Sequence, residues 1–334
     1  MAPLDPAQMA QTTSISVILP VYNHAALLPR ALEALAAQTK MPDEIIVIDD
    51  ASSDRSYEVA KDFSARFTSS VRYLVLHNDA NLGVNRTLNR GLGVVAGDYV
   101  VCTGADDWLR PRFIEAMSAA AQQFPDADLL TSRYTEYFEA EDRLVEHAPD
   151  SELGLWFIAD SSCHFFSPAE LVALLRRACV ALYFNASLIR ADVLRRTGGF
   201  DPALKWHADW FAIYAIALRY GFAVVPESLA VFRVASGTYS GSGVHDRKRQ
   251  TEVCHAVCDK LADPTWRDVR ASLAATPSPL SPLVRGLVPA LARRPHDWDL
   301  LAHVALWWLN EVRKGRRPGR LRSLAARLGF DIRP

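Results

Sequence analysis

The run Ile15-Ser-Val-Ile-Leu-Pro-Val-Tyr22 is apolar at nearly every position. A strand with one wetted face alternates apolar and polar residues. An unbroken run therefore marks a strand covered on both faces, as parallel strands between helices are. Asn23-His24 closes the run, and Leu27, Leu28, Ala31, Leu32 and Leu35 then recur at the spacing of one helix face. The alternation repeats. Glu44-Ile-Ile-Val-Ile-Asp-Asp50 predicts a second strand, with Ser52, Ser53 and Asp54 as caps for the helix after it. Val71 to Leu76 predicts a third strand and Asn85 to Val95 a helix, which Gly97 breaks ahead of a strand from Asp98 to Cys102. Strands and helices in this order, joined by right-handed crossovers, predict an α/β fold with a Rossmann-like, mostly parallel sheet flanked by helices.

In open α/β sheets, ligands bind just outside the carboxyl ends of the strands. Here three such ends, Tyr22-Asn23, Asp49-Asp50 and Asp106-Asp107, can line one crevice. Adjacent carboxylates repel and lose hydration on burial, so a pair at a strand end calls for a cation or ligand hydroxyls. Asp106-Asp107 can also be read as a polar cap before the helix near Pro111. The strand ahead of the pair and the two other polar strand ends favour the chemical reading. Neither Gly-x-Gly-x-x-Gly nor Gly-x-x-x-x-Gly-Lys occurs, which argues against a dinucleotide dehydrogenase and a P-loop nucleotidase. A diphosphate bound without a glycine-rich loop needs another source of positive charge, and a divalent cation held by carboxylates supplies one.

The 334 residues are 50% hydrophobic and 22% charged, which describes a globular chain with a substantial core. A net charge of -1 argues against nucleic-acid binding by the chain as a whole. The first 13 residues read as a leader with neither a basic nor an apolar signal segment. No apolar run approaches the ~20 residues that span a bilayer. Five scattered cysteines fit reduced thiols, so the expected location is cytoplasmic or the inner face of a membrane. Cys254 and Cys258, with His245 and His255 nearby, are zinc-ligand types, but the paired short spacing is missing and they read as ordinary helix residues.

A series of short motifs then comes in one recognisable order. Val-Ile-Leu-Pro-Val-Tyr-Asn stands at 17–23, Ala-Ala-Gln-Thr at 36–39, Glu-Ile-Ile-Val-Ile-Asp-Asp-Ala-Ser-Ser-Asp at 44–54 and Asn-Leu-Gly at 81–83. Asn-Arg-Gly-Leu at 89–92, Ala-Gly-Asp-Tyr at 96–99 and Asp106-Asp107 continue it. The whole resembles family 2 glycosyltransferases of the GT-A fold, over about residues 14–240. The resemblance implies a metal-dependent, inverting transfer of a single sugar from a nucleoside diphosphate sugar, expected to be a UDP-sugar, to a hydroxyl acceptor. By the same resemblance, Pro20, Tyr22, Asn23 and Asp50 form the base pocket, with a carboxylate accepting the base's ring N–H. Asp106 contacts the ribose and Asp107 ligates Mn²⁺ or Mg²⁺. Two positions depart from the pattern: Gly104 stands where many relatives carry a further Asp, and Leu88 where many carry Arg.

In the second half, Asp128 to Phe138 predicts a strand, followed by an excursion over 139–180 that is rich in charge and then in aromatics (Trp156, Phe157, Phe165, Phe166). Ser167-Pro168-Ala169-Glu170 is a capping box with Pro at the first helical position. Tyr183 to Arg190 predicts a strand. Gly198-Gly-Phe-Asp201 then matches a family turn, ahead of an amphipathic helix opened by Trp206-His-Ala-Asp-Trp210. The resemblance makes Asp209 the catalytic base; an Asp there also stabilises a helix dipole. His207 is a candidate acceptor contact. Arg233 and Arg247 are candidate phosphate contacts, and His245 on a Gly-Ser-Gly loop is a candidate ligand or lid residue.

Past Arg249 the family pattern stops. The predicted organisation is a leader (1–13), a GT-A domain (14–245, its nucleotide half 14–110 and acceptor half 111–245) and a helical extension with a basic tail (246–334). Thr276-Pro-Ser-Pro-Leu-Ser-Pro282 reads as a linker. Trp298, Trp307 and Trp308 beside the Arg-rich terminus fit an interfacial helix on anionic lipid, and equally a helix packed back on the domain. The expected partners are a nucleotide-sugar donor and a saccharide or lipid-linked saccharide acceptor, in cell-surface or exopolysaccharide synthesis. A nucleotidyltransferase and a catalytically silent glycan-binding scaffold are the alternatives.

Overall fold

The structure, a computed structural model, describes residues 13–67, 70–146, 162–176, 180–235, 243 and 246–313. His245, Trp156, Phe157, Cys179, the leader through residue 12 and the basic tail from residue 314 lie outside the described residues. In the first half, β1 (Ile15–Val21), α1 (Leu28–Ala36), β2 (Glu44–Asp49), α2 (Ser56–Asp62), β3 (Arg72–His77), α3 (Val84–Val94) and β4 (Tyr99–Cys102) alternate as predicted. There follow β5 (Trp108–Leu109), α4 (Phe113–Gln123), β6 (Leu129–Phe138), β7 (Arg143–Glu146), β8 (His164–Phe166) and α5 (Pro168–Leu175). Next come β9 (Ser187–Arg190), α6 (Ala191–Arg196), α7 (Ala208–Tyr220) and β10 (Phe222–Val234). The chain continues through α8 (Arg247–Ala262), α9 (Arg267–Ala275), α10 (Val284–Ala292) and α11 (Trp298–Arg313).

One sheet runs in the order β3-β2-β1-β4-β9-β6-β10-β5, with β7 beside β6 and β8 beside β10. The first four strands are parallel, as are β6 and β10, while β9 runs antiparallel to both neighbours. The apolar run that opens the chain has the expected cause. Along β1, Val17, Leu19 and Val21 enter one hydrophobic cluster and Ile18 the other; β2 divides likewise, Ile45 and Val47 against Ile46 and Ile48. Successive side chains point to opposite faces, so a strand buried on both has no place for polar residues.

α3 sits close against this sheet because residue 91 has no side chain. A Cβ there would lie 2.7 Å from both Ile18 Cγ2 and Ile48 Cδ1. The capping box is formed as read: Ser167 Oγ accepts the Glu170 N–H while Glu170 accepts the Ser167 N–H.

Three expectations are corrected. Only Ser187–Arg190 of the predicted strand 183–190 pairs in the sheet, because Phe184–Ala186 closes a 3-10 turn. α7 is not amphipathic: Ala208 and Phe211 through Leu218 are all buried, because the C-terminal helices cover its outer side, with Phe211 edge-on to Trp266 at 4.9 Å. The linker is a packed 3-10 turn, Ser278–Leu283, with Ser278, Pro279, Leu280 and Leu283 buried and Ser278 Oγ donating to the Leu175 carbonyl at 2.9 Å. Cys254, Cys258, Leu283 and Leu287 accordingly share one core with Ile18, Ile46 and Ile48.

Gly91→Ala improves helix propensity by about 1 kcal/mol. The added methyl meets two fully buried isoleucines, so the expected net change in urea melts is a loss of about 1–3 kcal/mol. Unchanged stability would show that α3 is seated further from the sheet.

Candidate active site

Two of the three strand ends are tied together by main-chain geometry. Asp50 N–H donates to the Val21 carbonyl at 2.8 Å, joining the ends of β1 and β2. Asn23 adopts a left-handed backbone (φ 53°), which Asn tolerates. Its N–H donates to Ser52 Oγ at 2.9 Å, and its Oδ1 accepts the Ser53 N–H at 2.8 Å. Pro20 lies just before this junction, and Tyr22 stands at its mouth, 46% exposed.

Asp50 is buried and already held. Its Oδ1 accepts from Asn78 Nδ2 at 2.6 Å and from the Leu82 N–H at 2.9 Å, and its Oδ2 accepts the Gly83 N–H at 2.9 Å. Asn81-Leu-Gly is therefore a collar around this carboxylate, closed by Gly83 at φ 83°. Oδ2, with one donor, keeps a lone pair for a further hydrogen bond.

Asp107 is 7% exposed. Its Oδ1 accepts the Arg233 main-chain N–H at 2.9 Å and its Oδ2 accepts from Asn185 Nδ2 at 3.1 Å. Desolvation, with the neighbouring Asp106 charge second, raises its carboxyl to about 7. The Arg233 guanidinium grips both oxygens of Glu139 at 2.9 and 2.5 Å and reaches Asp106 Oδ2 at 3.4 Å. That grip holds the Glu139 carboxyl below the usual carboxylate range. Arg233, read from the sequence as a phosphate contact, is thus engaged by two carboxylates. Asn185 and Glu139 were not identified from the sequence. Asn185 left one signal, a lone amide inside the apolar stretch Ala181-Leu-Tyr-Phe-Asn-Ala.

The departure at Gly104 has a steric account. A Cβ there would lie 2.8 Å from Asp106 Oδ1 and 3.2 Å from Asp107 Oδ2, so the two carboxylates occupy the place that another Asp would need. Leu88 is buried in the core, and Arg90 is spent on the His77 carbonyl at 2.6 Å and on Asn78.

Asp209 lies in the first turn of α7, and the approach to it is clamped from α3. Asn89 Nδ2 donates to the Phe200 carbonyl at 2.7 Å and Asn89 Oδ1 accepts the Phe200 N–H at 2.8 Å. Asn85 Nδ2 donates to the Lys205 carbonyl at 2.8 Å, where the chain kinks at φ 47°. Gly199, at φ 62°, would carry a Cβ 2.4 Å from Asn89 Oδ1, which accounts for the glycine in this turn. Asp209 is exposed to solvent, and desolvation raises its carboxyl. Its Oδ1 accepts the Trp210 N–H at 2.7 Å.

His207 does not face the cleft as an acceptor contact would. It is 6% exposed, and its Nε2 lies 3.0 Å from Gln250 Nε2. Gln250 Oε1 takes the Trp206 Nε1–H at 2.8 Å, which leaves its amide nitrogen to donate to His207 and places the ring proton on Nδ1. Burial lowers this imidazole to about 4, so it is neutral at ordinary pH. Gln250, on α8, is a further residue missed from the sequence.

Residues 16–172 match the family described as glycosyl transferase family 2. These residues are a family 2 glycosyltransferase domain. The family 2 domain is 32% identical over 133 residues to glycosyltransferase GlyA of Streptococcus pneumoniae, a match covering 40% of this chain and 18% of that protein. The first three curated relatives are matched over 18, 41 and 36% of their own lengths, so the chain spans less than half of each. Among solved structures, Staphylococcus aureus TarS 1-349 in complex with UDP-GlcNAc superposes with a TM-score of 0.55 at 14% identity, covering 92% of this chain and 93% of that one. A Pyrobaculum calidifontis mannosyltransferase in complex with GDP-Man and Mn²⁺ gives 0.53 at 18% identity, covering 97% and 82%. These likenesses are of fold: a GT-A sheet with C-terminal helices.

The electrostatics of Asp107 carry a pH signature. Its folded-state value of about 7 lies above the roughly 3.9 of an unfolded Asp, so the folded protein holds this proton more tightly. Stability from this group is therefore full below about pH 4 and is lost as pH rises towards about 7. In metal-free urea melts at about pH 5 and about pH 8, Asp107→Asn is expected to shrink the decline in stability between them. An unchanged decline would show that Asp107 is not desolvated.

Proposed function

We propose that this chain is an inverting, metal-assisted glycosyltransferase that moves one sugar from a nucleoside diphosphate sugar to a hydroxyl acceptor. The observation that carries the reading is Asp107. It is a buried carboxylate at a strand end, beside a second carboxylate, and its protein partners are two hydrogen-bond donors. Among the described residues, no three acidic, His or Cys side chains cluster to hold a metal. A Mn²⁺ or Mg²⁺ ion would need only one or two carboxylates from the protein. Asp107, with Asp106 beside it, would hold such an ion, whose positive charge favours departure of the diphosphate.

The remaining steps belong to side chains of this chain. The free lone pair of Asp50 Oδ2 accepts the base's ring N–H, and Pro20, Tyr22 and Asn23 enclose the base. Asp106 accepts from the ribose hydroxyls. Arg233 stands at the diphosphate, exchanging part of its hold on Glu139 and Asp106 for phosphate oxygens. Asp209 Oδ1 is engaged by Trp210, so Oδ2 takes the acceptor hydroxyl's proton as that oxygen attacks the anomeric carbon. A raised carboxyl pKa makes Asp209 a stronger base. One displacement, with attack opposite the leaving group, inverts the anomeric centre. TarS with UDP-GlcNAc supports a UDP-sugar donor, and the mannosyltransferase with GDP-Man and Mn²⁺ supports the metal. The acceptor proposed is a saccharide or lipid-linked saccharide of the cell surface or an exopolysaccharide, with the enzyme working in the cytoplasm or at the inner membrane face.

Thermal-shift screening of UDP- and GDP-sugars with Mn²⁺ identifies the donor, since a ligand specific to the folded state raises the melting temperature. With that donor, Asp209→Asn is expected to lower kcat by about a thousandfold while leaving donor affinity within about twofold. Chelation is expected to abolish turnover in the parent protein. A parent-like kcat in Asp209→Asn would overturn the assignment of the base.

A further inference from the structure

The last described helix, α11, is apolar on two opposite sides. Leu300 and Val304 are buried in the core, with Leu301, Trp307 and Trp308 packed against it. On the outer side Trp298, Leu306 and Leu309 are 56, 66 and 47% exposed, and Ala302 is exposed between them. Steps of four, four and three residues keep these four on one stripe. A helix at a protein surface is ordinarily polar on its solvent side, and no described residue covers this one.

The stripe leads directly into positive charge. From Arg313 to Arg322, six of ten residues are Arg or Lys and none is acidic. With 16 residues, α11 is about 24 Å long, and no described helix is long and apolar enough to cross a membrane. An apolar stripe with Trp at one end and a cationic run at the other is the pattern of a helix that lies in a bilayer surface.

We propose that this face docks on an anionic lipid bilayer. Trp298, Leu306 and Leu309 enter the boundary between headgroups and acyl chains, and the Arg/Lys run from residue 313 pairs with lipid phosphates. Charge complementarity selects this occupant over a second copy of the chain. Two copies joined along the stripe gain apolar contact but give the cationic run no anion to pair with, whereas an anionic bilayer satisfies both features. The inference goes beyond the transferase reading and does not depend on it: a protein inactive toward every sugar nucleotide would still bind vesicles.

The test is co-sedimentation of the full chain with phosphatidylcholine vesicles, with and without about one-third phosphatidylglycerol. Binding is expected on the anionic vesicles only, falling at least tenfold or so when salt rises from about 0.1 M to about 0.5 M. The double variant Leu306→Glu, Leu309→Glu is expected to lower binding by about tenfold or more, since it removes the inserting surface. The set Arg313→Gln, Arg316→Gln, Arg317→Gln, Arg320→Gln is expected to do the same through charge. The leucine variant should melt at the parent's temperature, because Leu306 and Leu309 lie outside the packed side of α11. Equal binding to neutral vesicles, no binding to anionic ones, or indifference to the leucine substitutions overturns the proposal. So does a dimer in size-exclusion that the leucine substitutions dissolve without any vesicle binding, which assigns the stripe to a second copy.

Discussion

Taking a carboxylate out of water costs several kcal/mol unless the protein replaces the lost hydration. Asp107 meets that cost with two donors that arrive from far along the chain, the Arg233 main-chain N–H on β10 and the Asn185 amide in the turn before β9. The acidic loop after β4 thus takes its shape only once the second half of the sheet has closed on the first. The Arg233 main-chain N–H serves Asp107 while its side chain serves Asp106 and Glu139, so a single residue of β10 organises three carboxylates. These donors do not offset the full cost: burial, with the Asp106 charge beside it, still raises the Asp107 carboxyl.

A second dependency runs through α3. On one side Asn78 donates to Asp50 and to Thr87 of this helix, holding the collar around the strand-end carboxylate. On the other, Asn85 and Asn89 fix the turn that leads into α7 and Asp209. The helix is therefore the beam between the strand-end carboxylate at 50 and the candidate base at 209. Its close seating on Ile18 and Ile48 through Gly91 sets the height of both ends. Motifs that look separate in the sequence, Asn-Leu-Gly, Asn-Arg-Gly and Gly-Gly-Phe-Asp, are parts of one hydrogen-bonded frame.

The first half was legible in the sequence because its signals are local. A strand buried on both faces shows as an apolar run, a helix as a period, and a close approach as glycine. The capping box at Ser167 was read correctly for the same reason. What escaped depends on contacts between distant residues. Nothing near Asn185 shows that its amide will meet Asp107, and nothing in the Pro/Ser-rich stretch at 276–282 shows that Ser278 and Leu280 will be buried. The helix at 208–220 looked amphipathic because a helical period does not reveal a second layer on its far side. His207 was placed at the acceptor by its position in the chain, whereas Gln250, 43 residues on, draws its ring into the protein.

Gln250 has a consequence for how such a chain can be divided. The matched family segment ends at residue 172, before Asn185, Asp209 and Arg233, and the helix bearing Gln250 begins only at residue 247. That glutamine holds Trp206 and His207 immediately ahead of the candidate base, and the turn at 278–283 receives the Trp210 indole N–H on the Pro279 carbonyl. The C-terminal helices therefore hold the segment that carries the candidate base and are not an appendix to the sheet. A chimera that grafts the sheet of this protein onto another protein's tail inherits a loosened α7 unless the helices through 292 travel with it, so the unit that must move together is larger than the recognisable motif block.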